Sequence, residues 1–259
     1  MSAMRFPPGL EPVDDLAPAM WVREALKDWP RGRRFIVSDL VPPVFEAYAR
    51  ILHRPIHHVD GRWGTWAEAS PGGDLPLDPE SPWTGSRSSG GGGWSLGEGS
   101  LSVPEVTMLT PVLRAHTGDP SVCWFALWSG FGFLDPGSSY LLAGGSLSQR
   151  LATRVVRAKE WMATKRARMA QGRFSTFDLL GPSGRSYLLF LAALGDAERF
   201  TSSGHSPTLW WPGDRSWLVH TEIDATSTYL GGSRELIDRL VEQQLLESFE
   251  VEADSAAVL

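Results

Sequence analysis

Residues 122–128 read Val-Cys-Trp-Phe-Ala-Leu-Trp, and residues 187–192 read Tyr-Leu-Leu-Phe-Leu-Ala. Both stretches are short and almost wholly apolar, which is typical of strands that are buried on both faces. Turn-forming residues at 117–120 lie just before the first stretch, as expected where a loop enters a strand. The two stretches therefore predict the central strands of a sheet.

Helices and further strands are predicted around this centre. Periodic apolar spacing and capping residues predict helices at 15–28, 44–53, 110–116, 146–171 and 233–248, with a helical turn at 196–200. Shorter runs predict strands at 35–37, 139–142, 207–212, 216–223 and 226–230. Because strands and helices do not alternate regularly, the pattern predicts an α+β fold with a largely antiparallel mixed sheet flanked by helices.

Length and composition restrict the class of protein. The chain has 259 residues and a formal net charge of −6, and its length is consistent with a single α+β domain over 1–259. The longest apolar run, 187–194, is far shorter than the roughly 20 residues that span a bilayer. Cys123 is the only cysteine, so no intramolecular disulfide can form, and no export signal is expected from the pattern of residues 1–15. We therefore expect a cytoplasmic protein that does not enter membranes.

Two segments depart from this compact pattern. Residues 70–100 are rich in Gly, Pro and Ser, including four consecutive glycines at 90–93, and are expected to form a long flexible loop. Residues 249–259 carry several acids and are expected to form an acidic tail.

Three stretches carry a family resemblance. Residues 41–53 read Val-Pro-Pro-Val-Phe-Glu-Ala-Tyr-Ala-Arg-Ile-Leu-His, and residues 209–217 read Leu-Trp-Trp-Pro-Gly-Asp-Arg-Ser-Trp, with Glu-Ile-Asp at 222–224. Together with Cys-Trp-Phe at 123–125, they resemble an uncharacterised family of bacterial proteins over most of the chain outside the Gly-rich loop. The resemblance implies a bacterial cytosolic origin and assigns no activity and no functional residue.

Common catalytic signatures are missing from the sequence. It contains no Gly-x-Ser-x-Gly elbow, no phosphate-loop lysine motif, no His-Glu-x-x-His and no cysteine pair. These absences favour a binding protein over an enzyme.

The strongest candidate for a catalytic site is the set His220, Glu222 and Asp224. These residues alternate along the strand predicted near 216–223, so their side chains are expected to share a face, where an imidazole and two carboxylates could divide acid and base roles. The alternative is the solvent-exposed face of an amphipathic strand. A Trp-walled ligand pocket is predicted beside this set by four upstream residues, Trp210, Trp211, Asp214 and Arg215.

A second polar cluster combines His53, His57, His58 and Asp60. The spacing is roughly that of metal ligands, but Pro55 interrupts the helix on which His53 and His57 would share a face. The expectation is therefore histidines in a surface loop, and no metal site is predicted.

The predicted helix at 146–171 is strongly basic, whereas the whole protein is acidic. Four residues, Arg150, Arg154, Arg157 and Trp161, are expected to share one face of this helix beside its inward apolar stripe, where they could bind a small anionic ligand or an acidic protein surface. The alternative is a solvated helix face paired with the acidic tail. The net negative charge disfavours nucleic acid as a partner.

Three functions are consistent with the sequence. The favoured one is a non-enzymatic cytoplasmic binding module that contacts a protein or small anionic partner through the basic helix. The alternatives are a hydrolase or transferase that uses His220, Glu222 and Asp224, and an immunity or antitoxin-like protein. The sequence specifies neither a cofactor nor an oligomeric state.

Overall fold

The computed structural model describes residues 6–26, 33–69, 78–82, 93–131, 134, 174–179, 185–242 and 246–258. The strand predicted at 139–142 and the basic helix predicted at 146–171 lie outside these residues. So does most of the predicted Gly/Pro/Ser-rich loop, of which 78–82 and 93–100 are described.

The described residues form ten strands. They are β1 Ala47–Leu52, β2 Ile56–His57, β3 Trp94–Ser95, β4 Cys123–Trp128, β5 Phe177–Leu179, β6 Arg185–Ala192, β7 Leu209–Pro212, β8 Leu218–Thr221, β9 Ser227–Gly232 and β10 Ser248–Val251. Eight of them make one sheet in the order β10-β1-β9-β8-β7-β4-β6-β5, and β2 pairs with β3. Every pairing is antiparallel. The predicted α+β class with a largely antiparallel sheet is confirmed.

Five α-helices accompany the sheet. They are α1 Met20–Ala25, α2 Trp66–Ala69, α3 Val103–Ala115, α4 Ala197–Thr201 and α5 Arg234–Glu242. Short 3-10 turns lie at Ala17–Ala19, Val37–Asp39 and Leu194–Asp196. Among the residues described, none of these helices has both the length and the apolar character that a membrane crossing requires.

The predicted central strand is confirmed as β4. Phe125 lies opposite Phe190 of β6 on one side and opposite Trp210 of β7 on the other, and all three rings are fully buried. Cys123 at the start of β4 is also buried, and burial raises the pKa of its thiol to about 12. The cysteine is therefore a packing residue rather than a reactive thiol.

The sheet is covered on both faces. One face, here called the helix face, packs against α3, α4 and α5, and its core contains Leu109, Phe200 and Leu236. The opposite face, here called the N-terminal face, packs against the segment before β1, and its core contains Val22 and Leu40. Two-sided burial explains why the central strands lack alternation of polar and apolar residues.

The helix predicted at 44–53 is wrong, because residues 47–52 form β1. All six residues of β1 are buried, and the strand lies between β9 and β10. A strand buried on both faces shows no period of two, so its apolar residues matched helical spacing by coincidence. Val44, the first residue of the predicted helix, is 68% exposed.

Other boundaries also differ from the predictions. The helix predicted to begin at Thr110 begins at Val103, where Ser102 and Glu105 form a reciprocal capping box. Residues 35–37 contribute a single bridge, from Ile36 to Ala256, rather than a strand. The last helix ends at Glu242, and part of the predicted acidic tail forms β10.

Candidate functional site

The predicted set His220, Glu222 and Asp224 is only partly brought together. Strand β8 ends at Thr221, so His220 lies within the strand, whereas Glu222 and Asp224 lie in the turn that follows. His220 is fully buried and Glu222 is 3% exposed, but the Asp224 side chain is 75% exposed. The three residues therefore form neither an exposed catalytic row nor the solvent face of an amphipathic strand.

Arg185 joins the two carboxylates of this set. Its Nη1 donates to Glu222, and its Nη2 donates to Asp224 Oδ2 at 2.7 Å. The guanidinium carbon lies 5.8 Å from the ring centroid of Trp128. We call these four residues the Arg185 cluster. Arg185 could not be predicted as part of this site, because it lies 37 positions from Glu222 and no local motif marks it.

His220 is held as a neutral ring beside this cluster. Its Nδ1 lies 2.6 Å from the carbonyl oxygen of Leu40, so Nδ1 carries the proton and donates it. Nε2 has no hydrogen-bond partner among the described residues. Burial lowers the His220 pKa to about 4, opposed by the Leu40 hydrogen bond and assisted by the charge of Arg185.

A buried imidazole with so low a pKa is a poor general base. Efficient acid–base catalysis near neutral pH needs a group whose pKa lies near 7 and that can reach the substrate. The side chains of His220 and Glu222 are instead buried, and the Glu222 carboxylate is paired with Arg185. This geometry favours a structural role for His220 and Glu222 at this end of the sheet.

The two tryptophans predicted to wall a pocket are core residues. Trp210 packs on the helix face, edge-on to Trp217 with ring centroids 5.8 Å apart. Trp211 packs on the N-terminal face, edge-on to Trp21 at 6.1 Å. Because neighbouring residues of a strand point to opposite faces, the pair cannot line one cleft.

Asp214 and Arg215 lie in the turn between β7 and β8, at the end of this hairpin that is remote from Glu222. Asp214 accepts hydrogen bonds from the backbone N–H groups of Gly118 at 2.8 Å and Ser216 at 3.0 Å. The guanidinium of Arg215 lies 5.4 Å from the ring centroid of Trp21. These two residues therefore order a turn, and the predicted pocket beside His220 does not include them.

The second histidine cluster is divided between core and surface. His53 is buried, with Nδ1 2.8 Å from the Gly97 carbonyl oxygen and Nε2 2.9 Å from Thr228 Oγ1, and burial lowers its pKa to about 4. The Nδ1 atom of His57 instead lies 2.8 Å from Oδ1 of Asp60. Within the described ranges, no group of three or more His, Cys, Asp or Glu side chains could hold a metal ion. The expectation of a surface loop is wrong for His53.

Arg150, Arg154, Arg157 and Trp161 lie outside the described residues. The contact surface that they are predicted to form stays a prediction.

A surface that sequence analysis did not identify lies along β10. The Leu52 N–H donates to the Glu247 carbonyl at 2.8 Å, so Phe249 and Val251, two and four residues later, also direct their backbone groups toward β1. Ser248 and Glu250 consequently direct their N–H and C=O groups away from β1. No strand in the described part of the chain pairs with this outer side.

A cavity of about 520 Å³ adjoins this open edge. We call it the edge slot. One wall comes from the β10 end of the sheet and the other from the segment 78–80. Its lining residues are Asp78, Pro79, Glu80, Glu250, Val251, Glu252 and Ser255.

Arg50 holds the second wall in place. Its Nη1 donates to the carbonyl oxygens of Pro79 and Ser81, both at 2.9 Å, and its Nε donates to Ser227 Oγ at 2.9 Å. The side chain is fully buried in β1, and burial lowers its pKa. A charged residue inside an otherwise apolar strand was the one sequence signal for this site, and the helical interpretation of 44–53 concealed it.

Replacing Arg50 by methionine is expected to release this wall. A hydrogen bond to a charged group contributes roughly 1.5 kcal/mol or more, so cleavage after Glu80 by a glutamate-specific protease should accelerate by about tenfold. Arg62→Met is the matched control, because Arg62 is half-exposed and stacks on Trp94 rather than on 78–82. Equal cleavage rates in R50M and the wild type would show that Arg50 does not anchor the segment.

Comparisons with protein-family models, with curated proteins and with solved structures give no match. The bacterial family resemblance of residues 41–53, 123–125 and 209–224 therefore stays a prediction.

Proposed function

We propose that the protein is a non-enzymatic binding module that takes up an extended segment of a partner protein along the open edge of β10. The observation that carries the proposal is the outward-facing backbone of Ser248 and Glu250 beside the edge slot. In keeping with the sequence, we propose that it acts in the bacterial cytoplasm.

Strand addition follows from the physics of sheet edges. An edge strand presents unpaired N–H and C=O groups, and a second extended chain can satisfy them with main-chain hydrogen bonds. The outer groups of Ser248 and Glu250 can form four such bonds. The edge slot leaves room beside them for side chains of the added segment.

The edge also has a defined end. The Glu252 N–H donates to Ser255 Oγ at 3.3 Å, and the Glu252 carbonyl accepts from the Ser255 N–H at 3.1 Å. This turn uses the outer backbone groups beyond Glu250. The arrangement supports binding of a short segment rather than growth into a long intermolecular sheet.

Proline at position 248 tests the proposal. Because the Ser248 N–H points outward, Ser248→Pro removes a donor from the open edge without removing a bond to β1, and prolines are tolerated at such positions. Peptides of eight residues, selected from a random library for binding to the wild type, are expected to bind S248P about tenfold more weakly, since one hydrogen bond is lost. Fluorescence anisotropy measures the affinities.

Ser248→Ala is the matched control, because it removes the side chain and keeps the N–H. It should bind the selected peptides as the wild type does. Hydrogen exchange at the amides of Ser248 and Glu250 should also slow when peptide is present. Selected peptides that bind S248P and the wild type equally, without protecting these amides, would overturn the proposal.

A further inference from the structure

We infer that the partner segment is basic, with lysine or arginine at consecutive positions. The inference rests on the proposed function and specifies the chemistry of the ligand. It derives from the distribution of charge around the edge slot.

The edge slot carries an excess of negative charge. Its lining includes four carboxylates, those of Asp78, Glu80, Glu250 and Glu252. Two guanidinium groups oppose them: Arg234 donates to Glu250 and also interacts electrostatically with Glu252, and Arg50 interacts electrostatically with Asp78. Among the described residues, four carboxylates against two guanidinium groups leave an excess of two negative charges in the slot.

The carboxylates lie on both sides of the sheet edge. Glu250 lies on the helix face, where it meets Arg234 of α5. The side chain of Arg50 points to the N-terminal face, as does that of Tyr48 two residues earlier in β1. Asp78 and Glu80 belong to the segment that Arg50 holds there. Successive side chains of an added strand point alternately to these two faces, so consecutive basic residues would each meet a carboxylate.

The exposure of these charges also determines how strongly they are expected to affect the affinity for the partner segment. The carboxylates of the slot are largely exposed, and exposed ion pairs contribute little individually and are screened by salt. Backbone pairing therefore supplies the common part of the affinity, while the carboxylates select among segments. We expect a basic segment to bind about tenfold more tightly than a neutral one at low salt, a preference that salt reduces.

Three synthetic peptides test the inference directly. The basic probe is Thr-Lys-Arg-Val-Lys-Arg-Thr, the neutral probe has glutamine at the four basic positions, and the third is the basic probe N-methylated at alternate residues. Binding is measured by fluorescence anisotropy at low and high salt. The basic probe should bind about tenfold more tightly than the neutral one, and N-methylation should abolish binding because it removes the main-chain donors.

Charge reversal in the slot provides the second measurement. The double variant E80K/E252K should lose the preference for the basic probe and retain binding of the neutral probe. Glu11→Lys is the matched control at an exposed position outside the slot, and it should keep the preference. Retention of the preference by E80K/E252K would overturn the inference.

The outcomes separate the inference from the proposed function. If neutral and basic probes bind equally and both bind S248P about tenfold more weakly, the edge binds extended segments but the basic specificity is wrong. If the basic probe binds regardless of N-methylation and of S248P, strand addition is wrong, and the inference that rests on it is wrong as well. If none of the peptides binds, both are overturned.

Discussion

Replacement of Arg185 by methionine is expected to lower the free energy of unfolding by about 3–5 kcal/mol. Glu222 is almost completely buried, and Arg185 supplies its positive partner. Removing one member of a buried ion pair leaves the other charge desolvated and uncompensated, which costs far more than the loss of an exposed pair. Urea denaturation of the wild type and R185M measures the difference.

A second substitution, which removes the charge of Glu222, tests whether the uncompensated carboxylate causes the loss of stability in R185M. In R185M, the additional change Glu222→Gln should recover most of the lost free energy, because the buried group no longer carries a charge. Asp224→Asn alone should change the free energy of unfolding by less than about 1 kcal/mol, since the Asp224 side chain is 75% exposed. A stability of R185M within 1 kcal/mol of the wild type would contradict the role assigned to the Arg185 cluster.

Acidification is expected to destabilise the protein through His53 and His220. Burial lowers the pKa of each ring to about 4, whereas an unfolded histidine titrates near 6.5. Between these values the unfolded chain binds protons that the folded chain does not, so this stability is fully present above pH 6.5 and is lost as the pH falls toward 4. Each histidine contributes about 3 kcal/mol over the window.

The carboxyl group of Glu105 changes the free energy of unfolding with pH in the opposite direction. Burial raises its pKa from 4.5 to about 7, against the effect of hydrogen bonds from Ser102 and the Arg54 N–H. Its favourable contribution is therefore present below pH 4.5 and is lost as the pH rises through 7. Two histidines outweigh one carboxyl group, so the free energy of unfolding should still increase from pH 4.5 to 6.5.

Variants of single histidines separate the contributions of His53 and His220 to the pH dependence of stability. The difference in free energy of unfolding between wild type and His220→Gln should change by about 3 kcal/mol between pH 6.5 and 4, and His53→Gln should behave similarly. His58→Gln, at an exposed position, should preserve the pH dependence of the wild type. Parallel stability curves for wild type, H53Q and H220Q would show that neither ring is kept neutral by the fold.

The sheet centre was predictable from sequence because its residues have one dominant property. Phe125, Leu127 and Leu189 belong to runs too apolar and too short for any element except a buried strand. The helical face of 236–240 was equally clear, since Leu236, Ile237 and Leu240 are buried at helical spacing after the Ser233 cap. In both cases local pattern and tertiary environment agree.

β1 and β10 were not predictable because their identity depends on distant partners. Tyr48 pairs with Gly231 and Val251, both about two hundred positions away, and local spacing favoured a helix. Glu250, one of the acidic residues that suggested a tail, instead lies between Phe249 and Val251 in an edge strand. Tertiary contacts overrode the local preference in each segment.

The candidate site was recovered only in part for the same reason. His220, Glu222 and Asp224 could be noticed because they are close in sequence. Arg185, which neutralises Glu222, could not be selected among 21 arginines without knowing that β6 and the end of β8 approach each other. The edge slot combines 78–80 with 250–255, and its one sequence signal is the charged Arg50 within an apolar run.

The position of β1 in the sheet constrains the order of events during synthesis. Its two neighbours are β9 and β10, so the strand emerges from the ribosome long before either partner has been made. Until residues 248–251 follow, Arg50 has no complete burial site and the apolar side chains around it stay exposed. The fold therefore closes late, and exposed apolar surface and unpaired strand edges of this kind make incompletely folded chains prone to aggregate.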